Sequence, residues 1–280
     1  MIDGDFVSTE WLAANLGAED LAIVDCTAFL PTNSRDAAAE FLAAHIPGAR
    51  FLDIAEVADQ THPAPHMLPT AASFGAAMEA LGVGSNERIV IYDNSPLRTA
   101  ARGWFMMRHF GASQVAVLDG GLGKWLAEGR PVEAGAAVPR PGRRFAAEQR
   151  AGEVVSKSML LEGVTAPVLD ARSRARFTGE ESDPRPTVAS GHIPGARSLP
   201  MSALYRDDVT FRGADELRAL FAQAGVDPHQ PFIASCGSGV TANSLILAAR
   251  RLGGRGGMLY DGSWSEWGAD PATPKETGAP

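Results

Sequence analysis

Short apolar runs alternate along the chain with longer segments whose apolar residues recur at helical spacing. The apolar runs predict buried strands at 21–25, 51–53, 89–92, 115–119, 167–170 and 232–235. The longer segments predict helices that begin at Ser8 or Thr9 and that cover 73–81, 97–110, 214–224 and 241–252. Strands that alternate with helices in this way are typical of a parallel sheet covered by helices on both faces. The pattern therefore predicts an α/β fold.

The pattern of the first half repeats in the second half. Four features recur in the same order: the string His-Ile-Pro-Gly-Ala at 45–49 and 192–196, a strand that ends at Asp25 and Asp170, an Asp-Gly turn at 119–120 and 261–262, and a tryptophan at 125 and 267. Their offsets lie between 142 residues (261 − 119) and 147 residues (192 − 45), which indicates a duplication. The sequence predicts two tandem domains, at 1–132 and 153–280, joined by a linker at 133–152 that lacks sustained periodicity.

Charge and composition narrow the class of partner. The chain has 280 residues, a net charge of −8 and a pI near 5.3, which argues against a nucleic-acid or anionic-membrane surface. No window approaches 18 apolar residues, and the acidic N-terminus does not resemble a signal peptide, so we expect a cytoplasmic protein without membrane contact. The two cysteines, Cys26 and Cys236, are too few for a disulfide framework and show no metal-binding spacing. We expect no metal site.

Cys236 lies where a buried strand is predicted to pass into a helix. The run 232–235 ends at this cysteine, and a Gly-Ser-Gly turn at 237–239 leads into the helix predicted from Thr241. Glycines let the backbone curl so that several N–H groups face one point, and a helix N-terminus stabilises a thiolate. The string predicts an anion-binding cradle around the sulfur. The alternative is a buried cysteine followed by a tight turn.

One position distinguishes two known uses of a cradled cysteine. Phosphatases of the Cys-x5-Arg type have an arginine six residues after the cysteine, and residue 242 is alanine, so a phosphoryl group would lack its guanidinium partner. The string from Cys236 to Ala242 instead resembles the active-site loop of the rhodanese family, most closely that of its 3-mercaptopyruvate sulfurtransferase branch. In that family the loop amides stabilise a cysteine persulfide. The resemblance implies that Cys236 is the nucleophile and that the persulfide is cradled by Gly237, Ser238, Gly239, Val240 and Thr241.

Two arginines also match that branch, which has one arginine in a Gly-Arg-Phe string and a second in a Pro-x-Pro-Arg string nine residues later. Arg176 and Arg185 keep this spacing, although the first string has alanine for glycine and the second lacks its first proline. The resemblance implies that they grip the carboxylate and keto oxygen of an α-keto acid, for which a planar guanidinium is suited. The alternative is that these arginines solvate the surface of an acidic protein.

A histidine of the first half completes the resemblance. Pro65 to Pro69 resembles the family's Asp-His-Met-Leu-Pro string, whose histidine approaches the loop serine across the domain interface. This implies that His66 relays a proton through Ser238. The family often has an acidic residue at the position that Ala55 occupies here, so an acid–His–Ser relay is not implied. The alternative for His66 is a hydrogen-bonded interface residue.

The duplication provides an internal comparison. Alignment of the halves places Asp93 opposite Cys236, so the first half lacks the thiol and the glycine loop, and we expect it to be non-catalytic. His45 and His192 occur in both halves, which favours a structural turn role. We interpret Cys26 as a packing residue and the Asp-Gly strings as turns.

The resemblance carried by these residues implies an enzyme with two rhodanese-like domains that transfers sulfur from 3-mercaptopyruvate, through a Cys236 persulfide, to a thiol, cyanide or a thioredoxin-like protein. No cofactor is implied. Thiosulfate users of the family carry Arg-Lys where this chain has Gly237-Ser238, which disfavours the dianion thiosulfate as donor. Thiosulfate:cyanide transfer and a non-catalytic persulfide carrier remain alternatives.

Overall fold

A computed structural model describes residues 1–279 of the chain. The residues divide into two compact units. The first unit contains Met1–Ala58, Pro69–Arg150 and the short segment Asp207–Thr210. The second unit contains Asp59–Leu68, Ala151–Arg206 and the chain from Phe211 onward. The segment Asp59–Leu68 of the N-terminal half therefore belongs to the second unit.

The first unit is an α/β sandwich around a five-stranded parallel sheet. Its elements are β1 (Phe6–Val7), α1 (Thr9–Asn15), β2 (Leu21–Asp25), α2 (Ala37–Ala43), β3 (Ala49–Phe51), α3 (Ala71–Leu81), β4 (Arg88–Tyr92), α4 (Ala100–His109), β5 (Gln114–Leu118) and α5 (Gly121–Ala127). The strand order is β1-β5-β4-β2-β3, and every pairing is parallel. All five residues of β2 are buried, as expected for a strand that is covered on both faces.

The second unit repeats this topology. Its elements are β6 (Val154–Val155), α6 (Lys157–Leu161), β7 (Val168–Asp170), α7 (Arg174–Thr178), β8 (Arg197–Ser198), a 3-10 helix (Met201–Leu204), α8 (Ala214–Gln223), β9 (Phe232–Ser235), α9 (Asn243–Arg251), β10 (Gly257–Tyr260) and α10 (Ser263–Trp267). The strand order β6-β10-β9-β7-β8 is that of the first sheet, again with parallel pairings. The predicted duplicated α/β fold is confirmed.

Equivalent side chains pack in the same way in both units. His45 and His192 each stack on a phenylalanine ring, at centroid distances of 4.0 and 3.8 Å, and each places Nδ1 within 2.8 Å of the carbonyl oxygen of that phenylalanine. The indole N–H groups of Trp125 and Trp267 donate to proline carbonyls at 2.8 and 2.7 Å. These four residues are buried. Their repetition confirms the structural role inferred for the two histidines.

Several predicted boundaries shift by a few residues. The strand predicted at 51–53 is β3, which ends at Phe51, and the helices predicted from 97 and 241 begin at Ala100 and Asn243. Both helices begin late because the residues before them form the loop at the carboxyl end of a strand. The helix predicted from Ser8 or Thr9 is α1, whose N-terminus is capped by the Ser8 side chain.

None of the helices formed by residues 1–279 has both the length and the apolar character needed to cross a membrane.

Candidate active site

Cys236 follows β9, the central strand of the second sheet, at the edge where the carboxyl ends of parallel strands meet. Its side chain is almost fully buried, with 1% of its surface exposed. The start of α10 holds its backbone: Cys236 donates its N–H to Ser263 Oγ at 3.0 Å, and Trp264 donates its N–H to the Cys236 carbonyl at 3.0 Å. Ser263 Oγ also lies 3.9 Å from the thiol sulfur. The nucleophile predicted from the sequence is therefore tightly positioned.

The loop after Cys236 presents backbone N–H groups that have no protein acceptor. Within residues 1–279, no hydrogen bond is made by the amides of Gly237, Ser238, Val240, Thr241 and Ala242. Gly239 adopts a left-handed conformation with φ of 73°, and a Cβ there would lie 2.3 Å from the Asp261 carbonyl oxygen, so only glycine fits. The Asn243 side chain donates to the carbonyls of Gly239 and Val240 at 2.7 and 2.8 Å, which fixes these peptide groups. The loop thus keeps several donors available for a ligand or a persulfide.

Arg176 and Arg185 come together on one carboxylate. Arg176 Nη2 donates to Asp183 Oδ2 at 2.5 Å, while Arg185 donates from Nε to Oδ1 at 2.7 Å and from Nη2 to Oδ2 at 2.9 Å. The backbone N–H of Arg185 adds a fourth bond to Oδ1 at 3.0 Å. Burial opposes ionisation of Asp183, but the hydrogen bonds from Arg185 and the charges of both arginines lower the pKa of its carboxyl group overall.

The two guanidinium groups lie beside the cysteine loop. Arg185 Nη2 donates to the Gly237 carbonyl at 3.2 Å, and a Cβ placed on Gly237 would lie 3.9 Å from Nη2 of each arginine. The arginine side chains are 21% and 30% exposed, for Arg176 and Arg185 respectively. Two arginines, one from a helix and one from a loop of no regular structure, are thus brought beside Gly237, the residue that follows Cys236.

His66 also lies beside the loop. Its Nδ1 is 3.1 Å from Ser238 Oγ, and both residues belong to the second unit. The His66 backbone has a positive φ of 62°, unusual for a residue other than glycine. Two residues further on, the Leu68 N–H donates to Asp261 Oδ2 at 2.6 Å, which ties this segment to the turn before α10. The histidine–serine contact implied by the resemblance is present.

Sequence reasoning missed three residues that shape this site. Asp183, the acid between the two arginines, was not predicted, although its position two residues before Arg185 was an available signal. Ser263 and Asn243 hold the backbone of the cysteine loop, and no local pattern marks either of them. Asp261 was interpreted as turn chemistry, but its side chain also accepts the Leu68 N–H.

The second cysteine has a different environment. Cys26 is fully buried in the first unit, where burial, with the nearby charges of Asp25 and Asp93, raises the pKa of its thiol far above the usual range. Its sulfur fills the space against α4: a Cβ on Gly103 would lie 2.4 Å from Cys26 Sγ. The Cys26 thiol therefore packs against α4 and stays protonated.

The part of the chain that the structure describes contains no cluster of three or more His, Cys, Asp and Glu side chains arranged to hold a metal ion.

Comparison with known proteins agrees with this arrangement. The rhodanese-like domain family matches residues 8–128 and 156–270. The chain is 41% identical over 274 residues to the 3-mercaptopyruvate sulfurtransferase of Escherichia coli strain K12, a match that covers 97% of each chain. It is 37% identical over 294 residues to thiosulfate/3-mercaptopyruvate sulfurtransferase 1, mitochondrial, of Arabidopsis thaliana, covering 97% of this chain and 78% of that relative.

A solved structure extends the match to three dimensions. The crystal structure of SseA from Escherichia coli superposes with a TM-score of 0.85 at 40% identity, covering 94% of this chain and 100% of that chain. The parallel sheet order, the cysteine loop after the central strand and these matches lead to one conclusion. The chain belongs to the rhodanese family and carries a rhodanese-like domain in each half.

Proposed function

We propose that the protein is a 3-mercaptopyruvate sulfurtransferase that works through a persulfide on Cys236. The observation that carries the proposal is the loop after Cys236, whose unpaired amides stand beside two guanidinium groups held on one buried acid. The identity to 3-mercaptopyruvate sulfurtransferases over nearly the whole chain supports the same activity. The proposed domains are a non-catalytic domain at 1–132, a linker at 133–152 and a catalytic domain at 153–280, and the segment Asp59–Leu68, which contains His66, adds to the catalytic domain.

Arg176 and Arg185 bind the donor in this proposal. Each guanidinium keeps part of its surface open beside Gly237, so a carboxylate and the adjacent keto oxygen can accept hydrogen bonds from them. Binding at the arginines brings the thiol sulfur of the donor toward Cys236. The carboxylate and the adjacent keto group of 3-mercaptopyruvate form a planar pair of acceptors, and a guanidinium group is itself planar. Arginine therefore suits this task better than lysine.

The first half-reaction transfers one sulfur atom. The Cys236 thiolate attacks the sulfur of 3-mercaptopyruvate, a sulfur–sulfur bond forms, and the carbon–sulfur bond breaks. Its electron pair moves to the carbon and gives the enolate of pyruvate, which takes a proton and leaves. The loop amides from Gly237 to Thr241 stabilise the negative charge that remains on the persulfide.

The second half-reaction regenerates the cysteine. A thiol, cyanide or a thioredoxin-like protein attacks the outer sulfur, and the Cys236 thiolate departs as the leaving group. Two separate half-reactions predict ping-pong kinetics. Thiol and thioredoxin-like acceptors are abundant in a reducing cytoplasm, where a free thiol also persists, so we assign the protein to that compartment. The proposal requires neither nucleic acid nor a membrane as partner.

His66 and Ser238 are assigned to proton movement. A contact of 3.1 Å between His66 Nδ1 and Ser238 Oγ gives a path for a proton between the imidazole and the loop. His66→Gln should therefore lower kcat for pyruvate release by at least about tenfold and change its pH profile, because general acid–base catalysis contributes on the order of 10²-fold or more. The exposed His229 of the second unit provides the matched control, His229→Gln. An unchanged pH profile in His66→Gln would restrict His66 to a structural contact.

Thiosulfate is the second candidate donor. It is favoured by the name of the Arabidopsis thaliana relative, which includes both donors. The two candidates differ in charge, because thiosulfate is a dianion and mercaptopyruvate carries a single carboxylate. A persulfide carrier that is loaded by a partner protein would need no arginine pair for a small donor.

The test is pyruvate release from 3-mercaptopyruvate with a thiol acceptor, measured beside thiocyanate formation from thiosulfate and cyanide. Arg176→Ala and Arg185→Ala should each raise KM or lower kcat/KM by at least about tenfold, since a charged hydrogen-bonded contact is removed. Arg174→Ala is the matched control, because Arg174 lies on the same short helix and is exposed. Inactivity of the wild type with both donors, or equal activity of all three arginine variants, would contradict the proposal.

A further inference from the structure

Asp183 occupies a special position relative to the two donor-binding arginines. Within residues 1–279 it is the only carboxylate that forms an ion pair with Arg176 or Arg185. Its two oxygens accept three guanidinium hydrogen bonds and one backbone hydrogen bond. One acid thus serves both arginines at once.

The acid is closed to solvent, whereas the arginines are open. The side chain of Asp183 is 0% exposed, and those of Arg176 and Arg185 are 21% and 30% exposed. A donor that binds at the guanidinium groups therefore contacts the arginines and not the acid beneath them. Asp183 acts on the donor through the arginines, by orientation and by charge.

The charges of the three groups can be added directly. Two guanidinium ions and one carboxylate give this group of three side chains a net charge of +1. The carboxylate remains ionised at neutral pH, because its bonds to Arg185 and the two positive charges outweigh the effect of burial. A net charge of +1 compensates one negative charge on a bound donor and leaves the second charge of a dianion uncompensated.

We propose that Asp183 is a specificity-determining residue: it lowers the net charge of the arginine pair to +1, which favours a monoanionic α-keto acid donor over the dianion thiosulfate. The inference rests on the proposed function and adds the cause of its donor preference. A site can discriminate against a ligand by leaving one of its charges uncompensated, and this discrimination requires no additional contact. The remaining specificity for the sulfur donor comes from the planar arrangement of the guanidinium N–H groups of the two arginines.

The experiment compares kcat/KM for 3-mercaptopyruvate and for thiosulfate in the wild type, Asp183→Asn and Asp183→Glu. Asp183→Asn raises the local charge to +2, so the ratio of the two kcat/KM values should shift toward thiosulfate by at least about tenfold, which corresponds to 1.4 kcal/mol. Asp183→Glu keeps the charge and should keep the ratio within about threefold of the wild type. Asp215→Asn makes the same change in total charge at an exposed acid on α8 and should leave the ratio unchanged.

Two outcomes would overturn the inference. Equal losses with both donors in Asp183→Asn would show that Asp183 only holds the arginines in place. A shift of equal size in Asp215→Asn would show that the total charge of the protein, and not the charge at the arginine pair, sets the preference. Thermal melting of each variant confirms folding before the kinetic measurements.

A wild-type measurement covers the case in which Asp183→Asn does not fold. Pyruvate, a monoanion, and oxalate, a dianion of similar size, are compared as competitive inhibitors of thiocyanate formation from thiosulfate and cyanide. This reaction neither consumes nor releases pyruvate. Tighter inhibition by pyruvate supports the inference, and tighter inhibition by oxalate contradicts it.

Binding also separates this inference from the proposed function. If the wild type turns over neither donor, the proposed function fails. The charge argument is then tested by the dissociation constants of pyruvate and thiosulfate for Cys236→Ser with and without Asp183→Asn. A ratio that shifts toward thiosulfate in the double variant supports the charge argument, and an unchanged ratio overturns it.

Discussion

The loops that follow the central strands of the two sheets have the same length but differ in their side chains and in the hydrogen bonds of their backbone amides. In the first unit the loop 93–99 joins β4 to α4, and in the second unit the loop 236–242 joins β9 to α9. The carboxylate of Asp93 accepts the N–H groups of Ser95 and Ala100 at 2.8 and 2.7 Å. At the equivalent position of the second unit, Cys236 brings a thiol in place of a carboxylate.

Further amides of the first loop are also bound. The Asn94 N–H donates to Thr27 Oγ1 at 2.9 Å and the Leu97 N–H donates to Ser95 Oγ at 3.1 Å. The second loop has Gly237 and Gly239 instead of polar or rigid residues, and most of its amides keep no protein acceptor among the described residues. The comparison teaches that the same fold supports either a turn that satisfies its own amides or an anion cradle, and that the residues of the loop together decide which.

Loss of the thiol should have the largest effect. Cys236→Ser removes the nucleophile, and we expect sulfur transfer to fall by on the order of 10⁴-fold or more, because the persulfide cannot form. Pyruvate release and mass spectrometry of the donor-treated protein measure the loss. Cys26→Ser is the control and should retain transfer, since Cys26 is a buried packing residue.

A cysteine grafted into the first loop tests the comparison directly. Asp93→Cys in the Cys236→Ser background should stay inactive, because that loop lacks the two glycines and the arginine pair. Recovery of pyruvate release in the double variant would show that a thiol after the central strand is sufficient. The difference between the loops would then carry no functional meaning.

The acids that end β2 and β7 should differ strongly in their contribution to stability. Asp170 forms an ion pair with Arg172, whose Nη2 donates at 2.7 Å, and both side chains are 3% exposed. Asp170→Asn leaves the Arg172 charge buried without its partner and should lower the free energy of unfolding by about 3–5 kcal/mol. Urea denaturation followed by circular dichroism measures the change.

The partner variant separates charge from packing. Arg172→Met combined with Asp170→Asn should be less destabilising than Asp170→Asn alone, because no buried charge remains. If the loss of unfolding free energy in the double variant equals the sum of the losses in the two single variants, the ion pair itself contributes nothing to stability.

Asp25 is the equivalent acid of the first unit, and its negative charge should destabilise the folded state, in contrast to that of Asp170. It has Thr27 as partner instead of an arginine, and burial raises the pKa of its carboxyl group to about 6, against the hydrogen bonds from Thr27. The folded state thus holds the proton more tightly than the unfolded state. The contribution of Asp25 to stability is present below about pH 4 and is lost as the pH rises to about 6.

The measurement is the free energy of unfolding of Asp25→Asn relative to the wild type at pH 4 and pH 7. The variant should gain about 2–3 kcal/mol on the wild type between these values, because a shift of about two pKa units at 1.36 kcal/mol each is expressed almost completely over this pH range. Asp3→Asn, at an exposed acid of the same unit, should show no comparable gain. A pH-independent difference for Asp25→Asn would contradict the assignment.

The smallest effect concerns the residue that begins the last helix of each unit. Gly121 begins α5 and Ser263 begins α10, and both have a positive φ, of 56° and 49°. Serine is strained in this conformation, but its hydroxyl accepts the Cys236 N–H. Ser263→Ala should therefore destabilise the protein more than Ser263→Gly does, by about 1 kcal/mol, because only glycine relieves the strain. Thermal denaturation of the two variants measures the difference, and equal losses would show that the backbone strain is unimportant.

Local sequence signals predicted the duplication, the cysteine loop and the strands β2, β4, β5, β7 and β9 well, but they missed β1, β6, β8 and β10. The run 232–235 coincides with β9, and 21–25 coincides with β2, because a fully buried strand is a continuous apolar run. The starts of α4 and α9 were placed too early, since residues of the preceding loops also have good helix propensity. The short helices α2, α5, α6, α7 and α10 were not predicted, because five to seven residues give little periodicity to recognise. The equally short α1 was recognised from its Ser8 cap.

The sequence by itself determined the α/β class, the repeat and the position of the cysteine loop that we propose as the active site, because these depend on apolar periodicity and on residues adjacent in the chain. The tertiary structure alone decided that Asp183 joins Arg176 and Arg185, that Ser263 supports the Cys236 backbone, and that the segment Asp59–Leu68 belongs to the second unit. Such contacts join single polar side chains from separate elements. No periodic pattern marks their partners, and they are specified only when the packed sheet brings the carboxyl ends of its strands to one edge.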